Sequence, residues 1–361
     1  MKVKKILALL LAAVMVMAVL TACGEEKAPV EEPAPAAEPA AEEKAPEEAP
    51  AEEEKEPELV LRYAENQPQD YPTTQAAYKF AELVNERTDG RIQIEVYYGG
   101  TLGDEKTVIE QLQFGGIDFT RVSISPLSEF DKDLNLLQMP YLYKDADQMW
   151  RVLDGEIGEE FLAGMEDSGM VGLTWFDSGS RNFYNSIKEI SCVEDMKGMK
   201  IRVQESELMM NMVEALGAVP TPMSYGEVYS SLQTGVIDGA ENNWPSYDTS
   251  SHYEVAKYFV LDGHTRVPEP MLISNKTLEK IEALDAGFPE ILHECAREAA
   301  VLQRELWVEK EGVSEAKVRE AGCVITELTP EEAAKFQDAM KPLYDKLSDE
   351  DKAMVERIKA A

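Results

Sequence analysis

The stretch GMKIRVQESELMMNMVEALG, residues 198–217, predicts a β-strand that leads into an α-helix. The run KIRV at 200–203 is short, β-prone and bounded by glycine and by polar residues, which is typical of a buried strand. An arginine inside such a strand is costly to desolvate unless an anion meets it. Arg202 therefore needs either an internal partner, such as Glu205 or Asp195, or an anionic ligand.

Strand and helix patterns alternate along the rest of the chain in two groups. The first group predicts strands and helices in the order β-α-β-α-β, at 58–65, 73–88, 91–98, 103–115 and 117–123. The second group predicts strands at 171–177, 200–203, 236–242 and 270–274, with helices at 206–217 and 226–235. A long helix from Pro289 to about 313 and a helix that begins at Thr329 follow. We expect two α/β lobes, each with a mostly parallel sheet, and an interlobe cleft at the carboxyl ends of the strands.

The N-terminus has the pattern of a secreted lipoprotein. A short basic segment precedes an apolar run at 6–20, which has the length of a signal-peptide core and is short for a membrane span. The LTACG that follows resembles the bacterial lipobox. Residues 1–22 are therefore predicted to be a signal peptide, and Cys23 is predicted to be the lipidated first residue of the mature chain. An ordinary signal peptide with a chance cysteine is the alternative.

Residues 23–58 are predicted to be a lipidated cysteine and a disordered tether, because Ala, Glu, Pro and Lys make up nearly all of this segment. The chain has a formal net charge of −34. Three lysines before Cys23, and fourteen Glu against three Lys in the tether, leave −26 for residues 59–361. So acidic a surface argues against nucleic acid and against electrostatic docking on anionic lipid. A pocket that is locally positive stays compatible with it, because exposed charges are screened beyond about 8 Å.

The sequence contains no pattern that demands catalysis, a metal or a cofactor. H-E-x-x-H, G-x-S-x-G, G-x-G-x-x-G and C-x-x-C are all missing, and His252 and His264 lie too far apart in the chain to suggest a metal pair. The three later cysteines are expected to be core thiols or exposed residues without a role: Cys192, Cys295 and Cys323. We therefore expect a binding protein and no enzyme, with neither a cofactor nor a metal.

Three separated motifs occur in order along the chain: GGTLGDEKTVIEQLQFGGIDFT at 99–120, GMKIRV at 198–203 and LGAVPTPMSYGEVYSSLQTGVIDGAEN at 216–242. Together they resemble the signature region of the solute-binding subunits of tripartite ATP-independent periplasmic (TRAP) transporters. The resemblance extends from about residue 59 to the C-terminus. It implies a periplasmic-binding-protein-like fold with a long helix that spans both lobes. The implied boundaries are 59–178 plus about 268–307 for lobe I, and 179–267 plus about 308–361 for lobe II.

The resemblance also implies ligand contacts from both lobes. In that family an arginine in the K-I-R-V strand grips the carboxylate of an organic acid, and the matching position here is Arg202. The other matching positions, for which turn, core or surface roles are the alternatives, are Arg181, Asn242, Tyr225, Asn66 and Glu105. Ser123 is a further candidate, at a place where some sialic-acid-binding members carry an acidic contact, and this difference argues against sialic acid.

The segments at 63–73 and 237–269 resemble the branch of the family that binds sugar acids such as uronates. The resemblance thus implies an extracytoplasmic, membrane-tethered protein that captures an organic acid and delivers it to the membrane permease subunits of a TRAP transporter. A hexuronate is the leading ligand. A C4-dicarboxylate or a keto acid is the alternative within the family. A sensor module that presents its ligand to a receptor, or an extracellular enzyme acting on carboxylated sugars, are alternatives of another class.

Overall fold

The structure, a computed structural model, describes residues 56–361. The predicted signal peptide, Cys23 and most of the predicted tether lie outside the described residues. Within 56–361, no helix combines the length and the apolar character that crossing a bilayer requires.

Strands and helices alternate along most of the described chain. The strands are β1 (Leu59–Ala64), β2 (Ile92–Tyr97), β3 (Phe119–Arg121), β4 (Met170–Phe176), β5 (Ser180–Asn185), β6 (Lys200–Val203), β7 (Val219–Pro222), β8 (Gly239–Asn242), β9 (Tyr258–Leu261), β10 (Thr265–Arg266), β11 (Glu269–Ser274) and β12 (Val324–Glu327). The helices are α1 (Pro72–Arg87), α2 (Glu105–Phe114), α3 (Ile124–Leu127), α4 (Ala146–Leu153), α5 (Glu156–Gly164), α6 (Glu207–Ala215), α7 (Val228–Thr234), α8 (Trp244–Thr249), α9 (His252–Val255), α10 (Asn275–Leu284), α11 (Phe288–Glu320), α12 (Pro330–Asp345) and α13 (Asp349–Ala360). Short 3₁₀ helices form at Lys132–Leu137, Met165–Ser168, Val193–Met196 and Tyr225–Glu227.

The strands form two separate sheets, as an α/β protein with two lobes requires. The first sheet has the order β2-β1-β3-β11-β4, and the second has the order β12-β9-β5-β8-β6-β7, with β10 paired to β5. We call them the first sheet and the second sheet. The helices pack on the faces of the two sheets, and three apolar clusters of buried side chains form the core where helices and sheets meet. The predicted α/β architecture with two lobes is confirmed.

The prediction of mostly parallel sheets was wrong in detail, because both sheets are mixed. In the first sheet, β1 runs parallel to β2 and β3, whereas β11 is antiparallel to both β3 and β4. The chain returns from the second sheet to place β11 between two strands, and all six residues of β11 are buried. In the second sheet, β5 is antiparallel to β8 and β9. A strand inserted from far along the chain leaves no local trace in the sequence.

The helix α11 is 33 residues long and contacts elements of both sheets. It packs on α1 and β4 beside the first sheet and on α8 beside the second. Its Lys317 Nζ lies 2.6 Å from Asp248 Oδ1 on α8. Its buried Gln303 holds the backbone between β4 and β5, since the side chain accepts from Asp177 N at 2.8 Å and donates to Asp177 O at 2.9 Å. The expected helix across both lobes is confirmed, and it ends at Glu320, later than predicted.

The exact lobe boundaries stay a prediction. The strands of the first sheet come from 59–176 and 269–274, and those of the second sheet come from 180–266 and 324–327. The C-terminal helix α13 packs near elements that precede β4, where Gln148 Nε2 donates to Lys359 O at 2.9 Å.

Local sequence fixes the start of α2, which lies at the carboxyl ends of two internal strands of the first sheet. The Asp104 side chain accepts a hydrogen bond from Thr107 N at 2.8 Å, which caps the helix N-terminus. The helix ends at Gly115, whose φ of 72° is in the left-handed region that favours glycine. Glu105, the first residue of α2, is therefore fixed beside the ends of β1 and β3.

Candidate functional site

A cleft between the two sheets contains two adjoining cavities. The outer cavity has a volume of about 200 Å³, and the inner cavity is smaller, with a volume of about 20 Å³. Six of the seven ligand positions predicted from the sequence line the inner cavity: Asn66, Glu105, Arg181, Arg202, Tyr225 and Asn242. Four of these six, Asn66, Glu105, Arg202 and Tyr225, also line the outer cavity. The seventh position, Ser123, lies behind Glu105 and donates its backbone N–H to Glu105 Oε1 at 2.8 Å.

Several residues that line the cleft lie at, or just after, the carboxyl ends of strands. Asn66 comes just after β1, Arg121 is the last residue of β3, and Asn242 is the last residue of β8. Loops and side chains at the carboxyl ends of strands face one another in this class of fold, which is where ligands bind. The cleft therefore lies where the expected architecture puts it.

Arg202 is buried in β6 without a carboxylate partner. Its side chain is 2 % exposed, and its Nε and Nη2 donate to Met223 O at 3.1 and 2.8 Å. Among residues 56–361, no carboxylate oxygen lies within 4.0 Å of its guanidinium, and Asp195 pairs with Lys188 at 2.6 Å instead. Burial lowers the pKa of Arg202. The guanidinium is thus a buried cation that lines a cavity and lacks an internal anion to offset its desolvation.

Arg181 is different, because an internal network already satisfies its charge. Its guanidinium makes two hydrogen bonds to the Glu241 carboxylate and a third to Glu241 O at 3.0 Å. His264 Nε2 lies 3.5 Å from Glu241 Oε2, and His264 Nδ1 lies 2.8 Å from Asp262 Oδ2. Burial lowers the pKa of His264, but the two carboxylates outweigh it and raise the pKa to about 9. The paired Arg181 borders the inner cavity on the second-sheet side.

A third buried arginine, Arg121, was missed by the sequence reasoning. It is 2 % exposed and makes two hydrogen bonds to the Glu65 carboxylate and one to Asn66 Oδ1 at 2.8 Å. Glu269 Oε2 lies 3.1 Å from its Nη1, and Glu105 Oε1 lies 4.0 Å from the same atom. The signal was available, because Arg121 stands in the predicted strand IDFTRVS just as Arg202 stands in KIRV.

Glu105 has a strongly perturbed environment. Burial raises its pKa to about 7 and the nearby Glu269 raises it further, while the hydrogen bond from Ser123 N and the positive charges of Arg202 and Arg181 lower it. Its carboxyl group therefore exchanges between the neutral and ionised forms near neutral pH. A buried carboxyl in a cleft is a candidate for a functional group.

Tyr225 and Asn242 are held by hydrogen bonds that leave part of each side chain at the cavity wall. The Tyr225 hydroxyl bonds to Ser250 Oγ and donates to Ser246 O at 3.4 Å. The Asn242 amide oxygen accepts from Asn243 N at 2.9 Å. The ring of Tyr225 packs edge-on against the buried His252, with ring centroids 5.9 Å apart. These contacts fix the orientation of both side chains.

Contacts between the two sides of the cleft hold them together. Tyr71 OH and Ser246 Oγ are 2.9 Å apart, and Ser123 Oγ donates to Gln204 Oε1 at 3.4 Å. Glu129 Oε1 accepts from the backbone N–H of Glu207 at 3.0 Å, at the start of α6. The structure is therefore a closed form of the cleft.

One group within 56–361 has the ligand types of a metal site. The ligand atoms of Cys192, Glu194 and Glu332 lie within 4.8 Å of one another near the surface. Glu332 is already paired with Lys335 at 2.7 Å, and Cys192 Sγ donates to Asp195 at 3.3 Å. The group lies outside the residues that line the cleft.

The fold and the cleft are those of a two-lobed solute-binding protein, in which polar side chains from the two sheets line a cavity between them. The chain belongs to family 7 of the bacterial extracellular solute-binding proteins, whose family model matches residues 63–351. It is 40 % identical over 283 residues to a solute-binding protein of Chromohalobacter salexigens, a match that covers 78 % of this chain and 83 % of that protein.

Two crystal structures of TRAP periplasmic solute-binding proteins are similar to this structure. The protein from Bradyrhizobium sp. BTAi1, in complex with galacturonate, has a TM-score of 0.81 at 38 % identity, and the match covers 84 % of this chain and 100 % of that one. The protein from Chromohalobacter salexigens, with bound D-glucuronate, has a TM-score of 0.80 at 38 % identity, with 83 % and 99 % covered. The chain is thus a solute-binding protein of the TRAP type.

Proposed function

We propose that the protein captures a hexuronate, such as galacturonate or glucuronate, and that Arg202 binds the carboxylate. The observation that carries this proposal is the buried guanidinium of Arg202, which lines the cavity without an internal anion. A carboxylate meets the planar fork of an arginine with two parallel hydrogen bonds, and exclusion of water strengthens the pair. The two similar crystal structures that hold hexuronates support this ligand class.

The remaining wall of the cleft suits the hydroxyl groups of a sugar acid. Asn66, Glu105 and Asn242 offer amide and carboxyl groups at the inner cavity, and Tyr225 offers a ring edge. Hydroxyl groups donate and accept, so amide and carboxylate partners satisfy both roles. We assign these residues, together with Arg181, to positioning the sugar. Ser123 acts through Glu105, which it holds by its backbone N–H.

We infer that capture involves closure of lobe I, 59–178 plus about 268–307, on lobe II, 179–267 plus about 308–361. The contacts from Tyr71 to Ser246 and from Glu129 to Glu207 join these two segments and support a closed state that retains the ligand. The inner cavity is narrow in this form, so a ligand enters while the lobes are apart.

We further propose that the protein binds and releases its ligand unchanged, and that it works outside the cytoplasm on a lipid anchor at Cys23. It would deliver the acid to the membrane permease subunits of a TRAP transporter, which the family relationship implies. The tether from 23 to 58 supports this arrangement, since its composition favours an extended chain that lets the binding domain reorient beside a membrane.

A thermal unfolding experiment on the full-length protein tests the ligand class. The panel contains galacturonate, glucuronate, galactonate, succinate, a branched keto acid and sialic acid. A ligand at about 100 times its dissociation constant adds roughly 2.7 kcal/mol to the free energy of unfolding, which is an easily measured shift. We expect a shift with the uronates. A shift with succinate or the keto acid alone would show a different branch of the family, and no shift with any acid would contradict the binding role.

A further inference from the structure

We propose that the first-sheet side of the cleft selects ligands by charge: it admits an acid with a single carboxylate, held on Arg202, and rejects an acid that carries a second carboxylate at its other end. Glu105 is the residue that we assign to this discrimination. The inference rests on the proposed function and narrows its ligand class to monocarboxylic sugar acids. Within the family it separates uronates and aldonates from dicarboxylates of similar size.

The first-sheet side carries three carboxylates around one guanidinium. Arg121 binds the Glu65 carboxylate directly, and Glu269 Oε2 and Glu105 Oε1 lie 3.1 and 4.0 Å from its Nη1. The side chains of Glu65, Glu269 and Glu105 are 0 %, 9 % and 12 % exposed, so water screens them little. One positive charge therefore faces three carboxyl groups, and this side of the cleft has an excess of negative charge.

The second-sheet side has one positive charge to spare. Arg181 is neutralised by Glu241, and the protonated His264 is neutralised by Asp262. Arg202 is the cleft arginine that lacks a carboxylate partner among the described residues. A ligand with one carboxylate balances that charge. A second carboxylate would have to lie toward Glu105 and Glu269, which line the same inner cavity as Arg202.

Glu105 controls the discrimination more than its neighbours do. Glu65 and Glu269 are bound or closely paired to Arg121, whereas Glu105 is the most distant of the three from that guanidinium and lines both cavities. The charged groups around it come from four strands and from the residue that follows β1. Arg121 lies on β3, Glu269 on β11, Arg181 on β5 and Arg202 on β6, and Glu65, just after β1, acts through Arg121. A sugar hydroxyl can donate to Glu105, so a ligand whose far end is uncharged gains a hydrogen bond there.

The protonation state of Glu105 makes the selection depend on pH. Its pKa is raised to about 7, by burial first and by Glu269, against the hydrogen bond from Ser123 N. At pH 8 the carboxylate is mostly ionised and repels a second ligand carboxylate. At pH 6 it is mostly neutral, and the repulsion weakens. The preference for a monocarboxylate should therefore grow as the pH rises from 6 to 8.

Galactonate and galactarate provide a matched pair of ligands. They are linear six-carbon acids that differ at one end, where galactonate has a hydroxymethyl group and galactarate has a second carboxylate, ionised at pH 6 and at pH 8. Calorimetric titration of the full-length protein at pH 8 should give at least about tenfold tighter binding of galactonate, since two like charges in a poorly screened cleft repel by that order or more. The ratio of galactonate affinity to galactarate affinity should be several-fold smaller at pH 6 than at pH 8.

The variant Glu105→Gln should reduce the ratio at pH 8 about tenfold by strengthening galactarate binding. A glutamine still accepts the hydrogen bond from Ser123 N, so the local structure is kept. In this variant the ratio should be the same at pH 6 and pH 8. Glu110→Gln, an exposed change on the same helix, is the matched control and should behave as wild type.

Two results would overturn the charge selection while leaving the proposed function intact. One is wild-type protein that binds galactarate as tightly as galactonate at pH 8. The other is a Glu105→Gln variant in which the ratio of galactonate affinity to galactarate affinity, and the pH dependence of that ratio, are the same as in wild type. If the variant is unfolded, the pH dependence of the wild-type ratio alone decides, and a ratio that does not change between pH 6 and pH 8 contradicts the proposal. Failure of every sugar acid to bind wild-type protein would instead contradict the proposed function.

Discussion

Arg202 and Arg181 are both buried cations at the cleft, and replacing each by methionine should change the stability of the free protein to very different extents. Arg202 has Met223 O as its hydrogen-bond partner, whereas Arg181 is bound to the Glu241 carboxylate. Removal of an uncompensated buried charge relieves its desolvation. Removal of one partner from a buried pair strands the other, and the Glu241 side chain is fully buried.

The magnitudes separate the two cases clearly. Arg202→Met loses two hydrogen bonds to a carbonyl, which costs about 1 kcal/mol each, and it also loses the attraction of the nearby Glu241 and Glu105. Against these losses, it relieves the desolvation penalty of one buried ion, which is on the order of several kcal/mol. These contributions oppose each other, so the free energy of unfolding of the free protein should change by less than about 2 kcal/mol. Arg181→Met should lose about 3–5 kcal/mol. Uronate binding to Arg202→Met should weaken by about 2–5 kcal/mol, which is roughly 30-fold to several thousand-fold.

Two assays on the same preparations test this reasoning. Urea denaturation of the free proteins gives the free energy of unfolding, and calorimetric titration with galacturonate gives the dissociation constant. Arg151→Met, at an exposed arginine on α4, is a control that should leave both quantities near wild type. If Arg202→Met destabilised the free protein as much as Arg181→Met and kept galacturonate binding within a few-fold, Arg202 would be a structural residue and its assignment to the carboxylate would be wrong.

Four further outcomes are expected. The pKa of Glu105 is raised to about 7 in the folded state from a usual value of 4.5, so the free energy of unfolding should fall by on the order of 3 kcal/mol as the pH rises from 4.5 to 7. Urea denaturation of Glu105→Gln should show a smaller change in the free energy of unfolding over that pH range. The pKa of His264 is raised to about 9 from 6.5, so its contribution to the free energy of unfolding is fully present below pH 6.5 and is lost as the pH rises through 9. The variant His264→Gln should lack that decline in stability in the same assay. Tyr71→Phe removes the hydroxyl that contacts Ser246, so galacturonate should dissociate about fivefold faster in stopped-flow fluorescence, and an unchanged rate would exclude this contact from closure. Cys23→Ser should shift the protein from the membrane fraction to the soluble fraction, and retention in the membrane would rule out the predicted lipid anchor.

Local sequence signals predicted the elements that carry the second-sheet side of the site. The strand KIRV, the glycine-ended helix after it and the helix start at Thr329 all form as expected, because caps, glycines and apolar spacing act within a few residues. The burial of Arg202 in a strand also followed from its neighbours.

The parts that the sequence did not reveal depend on long-range pairing. The insertion of β11 between β3 and β4 brings Glu269 to Arg121, although the two are far apart in the chain. The pairing of β5 with β8 brings Arg181 to Glu241 in the same way. An isolated arginine in a strand is visible in the sequence, but whether its partner is internal or a ligand depends on which strands become neighbours. This is why the sequence put both Arg202 and Arg181 among the ligand positions, whereas the structure gives Arg181 an internal carboxylate partner and Arg202 none among the described residues.

The most direct test of the central claim is a calorimetric titration of the purified full-length protein with D-galacturonate and with D-glucuronate at pH 7. We expect saturable binding of at least one of the two uronates, at one molecule per chain, with a dissociation constant of about 1 μM or lower, which corresponds to about 8 kcal/mol. Absence of binding to both uronates, together with saturable binding of succinate, would contradict the assignment of the cleft to sugar acids.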